Sequence, residues 1–322
     1  ATPQILDLSG IAILTLGPNS TFDGNVDFKA PRVLLHGTTY NGTAYLEKKG
    51  ADNDSGNGNN TFNGTTTLVN SGSGHLLTAN TSPDIFNGAL TVTNTGSNII
   101  YLAHNVAGSQ FNGNITFNST LGSAGIYFSN NATGSLTLGN GASLLVGGLG
   151  YSSGELRFRR FTQTGTAAQT LLLTGTALLR IGPTSTFNGT LDFRAPQFAL
   201  DGAIYNGLTY LEKTGANNND SNGGNTFNGV TTIANSGSGW FRFALNALDT
   251  FNGDLTLTNT GSSTIRMADN IPGTTFNGNI IVNSTFGGGI YFSESGGGTA
   301  TLAAGRTISV GGLGFSLGEL HI

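Results

Sequence analysis

Cysteine is missing from all 322 residues, and charged residues make up only 9% of them. Without cysteine there can be no disulfide bond, no metal-thiolate centre and no cysteine nucleophile. Soluble domains usually carry about 25% charged residues, and the net charge here is only −4. A nucleic-acid surface, which needs a basic stripe, is therefore not expected as a function of this chain.

Helix signals and long apolar runs are missing as well. No window of the sequence shows an apolar i, i+3, i+4 pattern over three turns, and no apolar run approaches the length of a membrane span. The hydrophobic fraction is nevertheless 37%, beside 51 glycines. Such a chain is too apolar, and its apolar residues are too regularly spaced, for a disordered linker. We predict an all-β protein.

What the chain has in abundance is the motif Phe-Asn-Gly. Its phenylalanines are Phe62, Phe86, Phe111, Phe187, Phe227, Phe251 and Phe276, and Phe22, Tyr40 and Tyr205 begin variants of it. After each glycine, apolar and small polar residues alternate, as in Leu90-Thr91-Val92-Thr93, which predicts a strand with one buried face. We expect the Asn-Gly pair to supply a positive φ, so that each strand is entered through a tight corner.

The motif lies inside a longer repeat of 165 residues. Leu46-Glu47-Lys48 recurs as Leu211-Glu212-Lys213, and the motif aromatics of one unit are 18, 22, 24 and 25 residues apart. About seven coils of about 24 residues would fill one unit, which is in the period range of parallel β-solenoids. We therefore predict a parallel β-solenoid (β-helix) of two units, residues 1–161 and 162–322, with the second continuous with the first.

The main alternative is a set of Asn-Gly hairpins that build antiparallel sandwiches. A hairpin turn needs a strand on both sides, whereas the residues before the motif are often turn-like, as in Gly56-Asn57-Gly58-Asn59-Asn60. A solenoid would instead stack identical residues, with phenylalanine ladders inside and asparagine ladders at the corners. The predicted structural ladder consists of Phe22, Phe62, Phe86, Phe111, Phe187, Phe227, Phe251 and Phe276.

Comparison of the two copies limits the candidate chemical sites. No histidine is shared between them. Glu47 and Lys48 do recur, but adjacent residues of a strand point to opposite faces. Polysaccharide lyases and hydrolases need carboxylates that converge on one groove, and no dense cluster of this kind is present. We predict no catalytic residues, no enzyme activity and no cofactor.

Two weaker features concern binding. Asp52 and Asp54 lie in an Asn/Gly-rich loop that resembles a calcium site, because hard oxygen ligands alternate along it. Both become asparagine in the second copy, which favours a plain surface loop without metal. Trp240 and Tyr101 could stack on sugars, but they align with His75 and Arg266. We interpret them as variable exposed positions.

The two ends of the sequence lack a polar cap, which a free-standing solenoid needs against end-to-end association. We therefore expect a segment of a longer array, whose partner is another copy placed head to tail.

The Thr-Phe-Asn-Gly-x-Leu-Thr-Val strands, the Asn-Ser-Gly-Ser-Gly turns and Phe161-Thr162-Gln163-Thr164-Gly165 resemble tandem repeats of giant secreted surface proteins and adhesins of Bacteroidota. More distantly, they are similar to the β-helices of filamentous haemagglutinins and autotransporters. The resemblance implies a stalk or fibre segment on the outside of a bacterial cell, in contact with its own kind and with surface glycans or other cells. The alternative function is a β-helix that binds or cleaves carbohydrate.

Overall fold

The structure, a computed structural model, describes residues 2–120, 122–131, 133–293 and 297–322. It consists of short β-strands joined by turns, and every strand pairing among these residues is parallel. The predicted all-β parallel solenoid is confirmed, and the antiparallel sandwich is wrong. In the part of the chain described, no helix is long and apolar enough to cross a membrane. The chain divides into two compact units, Ala1–Ala167 and Ala168–Ile322.

The strands of the first unit are two to eight residues long. They are β1 (Gln4–Asp7), β2 (Ile13–Leu16), β3 (Thr21–Phe22), β4 (Val26–Ala30), β5 (Arg32–Leu35), β6 (Thr39–Tyr40), β7 (Ala44–Lys48), β8 (Thr61–Phe62), β9 (Thr66–Asn70), β10 (Leu76–Leu77), β11 (Ile85–Phe86), β12 (Leu90–Asn94), β13 (Ile100–Leu102), β14 (Ala107–Phe111), β15 (Ile115–Ser119), β16 (Gly125–Phe128), β17 (Ser135–Leu138), β18 (Leu144–Tyr151), β19 (Glu155–Phe158) and β20 (Phe161–Gln163).

These strands form three faces, and most coils contribute one strand to each face. The first face has the order β1-β4-β7-β9-β12-β15-β18. The second face contains β10-β13-β16-β19, and the pair β2-β5 takes the same place in the earliest coils. The aromatic face has the order β3-β6-β8-β11-β14-β17-β20. Because sheet neighbours are one coil apart in the chain, the first unit winds as a three-sided coil.

The second unit repeats this plan. Its strands are β21 (Gln169–Leu172), β22 (Leu178–Ile181), β23 (Thr186–Phe187), β24 (Leu191–Ala195), β25 (Gln197–Leu200), β26 (Ile204–Tyr205), β27 (Thr209–Lys213), β28 (Asn219–Asp220), β29 (Thr226–Phe227), β30 (Thr231–Asn235), β31 (Phe241–Arg242), β32 (Thr250–Phe251), β33 (Leu255–Asn259), β34 (Ile265–Met267), β35 (Pro272–Phe276), β36 (Ile280–Ser284), β37 (Ile290–Phe292), β38 (Thr299–Leu302), β39 (Ile308–Phe315) and β40 (Leu320–His321). Its first face is β21-β24-β27-β30-β33-β36-β39, its second face contains β28-β31-β34-β37-β40, and its aromatic face contains β23-β26-β29-β32-β35-β38.

Register places equivalent residues of successive coils side by side. Phe62 pairs with Phe86, and Val92 pairs with Phe117. The alternation seen in the sequence therefore sends one set of side chains into the coil and the other to the surface, as in β12, whose Leu90 and Val92 are buried while Thr91 is half-buried. The interior becomes a set of apolar rows that run from coil to coil.

The Asn-Gly corner has a different physical origin from the one we predicted. The glycines after Phe62 and Phe86 do not have positive φ. Their role is close approach: a Cβ added to Gly64 would lie 2.2 Å from the carbonyl oxygen of Gly42, and one added to Gly88 would lie 2.3 Å from that of Gly64. The corners of successive coils therefore stack so closely that only a hydrogen atom fits at the Cα of each glycine. Because these glycines do not have positive φ, the prediction of a left-handed turn was wrong.

Positive φ occurs instead at the corner between the second and aromatic faces. Non-glycine residues with positive φ at this corner include Asn59, Ala79, Ala103, Ser129, Arg160, Thr184, Ala244, Ala268 and Ser293. Apart from Asn59, these residue types rarely adopt this conformation. It is held by hydrogen bonds between coils, for example from His104 N to Thr78 O at 3.3 Å. Tertiary contacts, rather than local residue preference, set the turn.

Candidate binding surface

The predicted phenylalanine ladder lies inside the aromatic face. Rings stack at 4.6 Å between Phe62 and Phe86 and at 4.9 Å between Phe86 and Phe111, with interplanar angles of 6°. In the second unit, Phe227 and Phe251 stack at 4.6 Å, and Phe251 and Phe276 at 5.3 Å. These spacings match the distance of about 4.8 Å between neighbouring strands. All of these rings are buried, so they hold coils together and are closed to a ligand.

The same ladder includes the other predicted positions and two tyrosines. Phe22 is half-buried and stacks at 5.6 Å on Tyr40, which itself stacks at 4.7 Å on Phe62. Phe187 is buried and stacks at 6.2 Å on Tyr205. Burial raises the pKa of Tyr205 well above its usual value. The tyrosines thus replace phenylalanine in the ladder with a hydroxyl that is kept protonated.

Outside the aromatic ladder, the asparagines of the motif form a second ladder at the surface. Asn63 Nδ2 donates to Asn41 Oδ1 at 2.8 Å, and Asn87 Nδ2 donates to Asn63 Oδ1 at 2.8 Å. In the second unit, Asn252 Nδ2 donates to Asn228 Oδ1 at 2.7 Å. The motif therefore supplies one internal and one external row of repeated contacts.

The charges shared by the two copies mostly serve the coil itself. Glu47 is half-buried on the first face, whereas the next residue, Lys48, is enclosed in the interior. Lys48 Nζ and its counterpart Lys213 Nζ donate to the carbonyl oxygens of Gly50 and Gly215, which close the next corner. Burial lowers the pKa of Lys213 to about 8.

The two candidate calcium ligands have different environments. Asp52 is exposed, whereas Asp54 is buried, and Asp54 Oδ2 accepts the backbone N–H of Val33 at 3.2 Å. Arg32 Nε lies 3.7 Å from Asp54 Oδ1, yet burial raises the pKa of Asp54 to about 7. The counterpart of Asp54 in the second unit is Asn219. Calcium binding by this loop would require Asp54 to leave its place in the interior.

Asn219 shows what this position does in the absence of a carboxylate. Its Oδ1 accepts the backbone N–H of Phe198 at 3.0 Å, the same bond that Asp54 makes with Val33. A neutral amide therefore makes the same backbone hydrogen bond at this position.

Asp84 and Asp249 are a second pair of equivalent buried acids. Asp84 Oδ1 accepts the backbone N–H and the side-chain amide of Asn60 at 2.9 and 2.8 Å, and Asp249 Oδ1 does the same with Asn225. Burial raises the pKa of Asp84 to about 6 and that of Asp249 to about 7. Shifted pKa values often mark catalytic acids. These two carboxyl groups, however, are at most 1% exposed, so a polymeric substrate has no access to them.

The second face of the first unit carries a half-buried stripe of aromatic and arginine side chains that the sequence comparison missed. Tyr101 and Tyr127 are paired in register, and their rings are nearly perpendicular at 5.6 Å. His75 and His104 each contact Tyr101 edge to face. Arg157, the next residue in register, lies 3.9 Å above the Tyr127 ring. All five side chains are half-buried.

The second unit has the equivalent stripe with other residues. Arg242, Arg266, Tyr291 and His321 follow one another in register. Trp240 lies beside them, with the guanidinium groups of Arg242 and Arg266 at 5.6 and 4.8 Å from its ring. We call each of these sets the aromatic–arginine stripe of its unit: His75, Tyr101, His104, Tyr127 and Arg157 in the first unit, and Trp240, Arg242, Arg266, Tyr291 and His321 in the second.

The surface offers hydrogen bonding and ring stacking to a ligand. Within the described ranges, no group of three or more histidine, aspartate or glutamate side chains is placed to hold a metal ion. Comparisons with protein-family models, with curated proteins and with solved structures gave no match to this chain.

Proposed function

We propose that this chain is a non-catalytic structural segment of an extracellular bacterial fibre or adhesin stalk. The observation that carries the proposal is the repetition of identical contacts in register from coil to coil, seen in the phenylalanine and asparagine ladders. In such a fold each coil is stabilised mainly by its neighbours. Coils can therefore be added without a new core, which is what a stalk of variable length requires.

The surface supports the same role. The outward positions of β12 and β33 are threonine, and charged residues make up only 9% of the chain. Weakly charged rods repel one another little, so they can lie side by side. The buried acids fit a structural role because each accepts hydrogen bonds from the coil next to it.

Electron microscopy of the native material, together with its fibre diffraction pattern, tests the proposal that the chain is a stalk segment. We expect a continuous thin fibre with an axial repeat of about 4.8 Å from the coils. A longer period of about 33 Å would come from about seven coils in each unit. Discrete globules on a string would overturn the proposal.

The extracellular location is tested separately. Antibodies against this segment should label intact cells of the producing bacterium, and brief proteolysis of intact cells should remove the signal. Labelling that requires permeabilised cells would place the segment inside and contradict a surface stalk.

A further inference from the structure

We propose that the aromatic–arginine stripe of each unit binds neutral polysaccharide chains laid along the second face of that unit. The sugar rings would pack their apolar C–H faces on the exposed aromatic rings, and their hydroxyl groups would hydrogen-bond to the neighbouring carboxylate and guanidinium groups. This binding activity is additional to the stalk role and does not depend on it.

The first argument is that four places of the stripe recur in both units although their residues change. His75 corresponds to Trp240, Tyr101 to Arg266, and Tyr127 to Tyr291. These three places and the pair Arg157 and His321 keep a flat, at least partly exposed π system, either an aromatic ring or a guanidinium group, whereas His104 and Arg242 correspond to the buried residues Asp269 and Leu77. A purely structural row such as the phenylalanine ladder keeps its residue type. A row of side chains that binds a ligand needs only a planar group on each successive coil. The types of these residues can then determine which sugar is preferred.

The second argument is that the groups are already held in place. Trp240 Nε1 donates to Asp220 Oδ1 at 3.0 Å, and Tyr291 OH donates to Glu319 Oε2 at 3.0 Å. Arg157 Nε donates to Glu155 Oε1 at 2.6 Å while its guanidinium covers Tyr127. Because these side chains are ordered before binding, little conformational entropy is lost when a ligand arrives.

The third argument concerns charge and selects a neutral ligand. Arg157 pairs with Glu155, and Arg242 pairs with both Asp220 and Asp269. Burial also lowers the pKa of His75 and His104, which favours their uncharged forms. A polyanion such as a uronic-acid polymer needs excess positive charge, which these compensated pairs do not provide.

The fourth argument is geometric. Side chains in register repeat at about 4.8 Å along the axis, so an extended chain molecule lying along the stripe meets a planar group at each coil. Several weak contacts to one polymer then act together and raise the overall affinity. A single small sugar would gain only one of these contacts.

The chain contains one tryptophan, Trp240, which gives a direct assay. Its fluorescence emission is titrated with a soluble β-glucan, a galactomannan and a dextran, and with polygalacturonate as the acidic comparison. We expect at least one neutral polymer to shift or quench the emission in a saturable way. Unchanged emission with all three neutral polymers, or a response to polygalacturonate alone, overturns the proposal.

A matched pair of variants locates the site. Tyr291→Ala removes a ring of the stripe, and Tyr210→Ala removes a tyrosine from the first face of the same unit. Both tyrosines are half-buried, and each donates at 3.0 Å to a glutamate. Loss of a central aromatic contact should raise the Kd in the first variant about tenfold or more. Equal weakening in both variants, or none in Tyr291→Ala, would contradict binding at the stripe.

The two proposals fail independently. Globules in the microscope with saturable tryptophan titration would remove the stalk and keep the polysaccharide site. A continuous fibre without any titration would do the opposite.

Discussion

Gly64→Ala is the substitution that tests how the coils are held together. Gly64 has an ordinary backbone conformation, so alanine is locally acceptable. The added Cβ, however, would lie 2.2 Å from the carbonyl oxygen and 2.6 Å from the carbonyl carbon of Gly42. The obstacle is main chain, which cannot rotate away, so the two coils must separate at this corner.

The geometry gives the size of the effect. The added Cβ would lie about 1 Å closer to the Gly42 oxygen than an ordinary van der Waals contact, which begins at 3.4 Å. Hydrogen bonds flank the corner, from Asn63 N to Tyr40 O at 2.8 Å and from Ala44 N to Thr65 O at 3.0 Å. An opening of that size breaks both bonds. With about 0.5–1.5 kcal/mol for each bond, Gly64→Ala should destabilise its unit by about 1–3 kcal/mol.

Gly24→Ala is the matched control. Gly24 occupies the equivalent corner, but a Cβ there would meet no atom within 4 Å. Chemical unfolding followed by far-UV circular dichroism compares the two variants, and hydrogen exchange of the Asn63 amide reports on the corner itself. Gly24→Ala should stay within about 0.5 kcal/mol of the parent. Equal loss in both variants would mean that the glycine is needed for its own conformation, and no loss in either would refute the close approach.

Three further predictions use the differences between the copies. Asp54→Asn should raise the free energy of unfolding by up to about 4 kcal/mol at pH 8 and not at pH 4. The reason is that the folded pKa of Asp54, about 7, lies above the unfolded value of 3.8, so the parent protein loses stability as the pH rises through the folded pKa. Thermal unfolding at several pH values checks this, Asn219 is the natural precedent, and an equal gain at both pH values would contradict it. Tyr205→Phe should stabilise by about 1 kcal/mol, since this buried hydroxyl has no hydrogen-bond partner among the described residues; a lower midpoint in urea would reveal a missed partner. Thr184→Asn should raise the melting temperature, because it should reduce backbone strain by about 1 kcal/mol. Thr184 is exposed and has a φ of 60°, and the equivalent residue of the first unit is Asn19, which has a φ of 62°. An unchanged Tm would show that the strain is absorbed elsewhere.

The fold could be predicted because repetition determines register. Once Phe62 and Phe86 are recognised as equivalent, pairing them also pairs the strands that follow, and alternation then decides which side chains are buried. Spacing that varies from 18 to 25 residues did not disturb this. The additional residues fall in the corners, outside the paired strands.

The corners could not be predicted in the same way. Asn-Gly is a common signal for positive φ. Here, however, glycine is needed because the main chain of the neighbouring coil leaves no room for a Cβ, and a local motif cannot show such a contact. Conversely, Ala79, Ala103 and Ser129 carry no sequence signal for the left-handed conformation they adopt. It is enforced by hydrogen bonds to residues about one coil away in the chain.

The aromatic–arginine stripe was missed because we compared residue identity between the copies. Tyr101 and Arg266 look unrelated in an alignment, and the comparison led us to interpret them as variable surface positions. Register shows that each belongs to a continuous row on the second face. The signal that could have found the row is planar character at corresponding outward positions, rather than identity.

The surface asparagine ladder has a direction. Each side-chain amide donates toward the coil that precedes it, from Asn87 to Asn63, from Asn63 to Asn41, and from Asn41 to Asp23. The amide dipoles therefore point the same way and add along the row, with the positive end at the earliest coil. Asp23 places a carboxylate at that end, as an acidic residue does at the start of an α-helix. Each further coil whose asparagine donates in the same direction adds one amide dipole to the row.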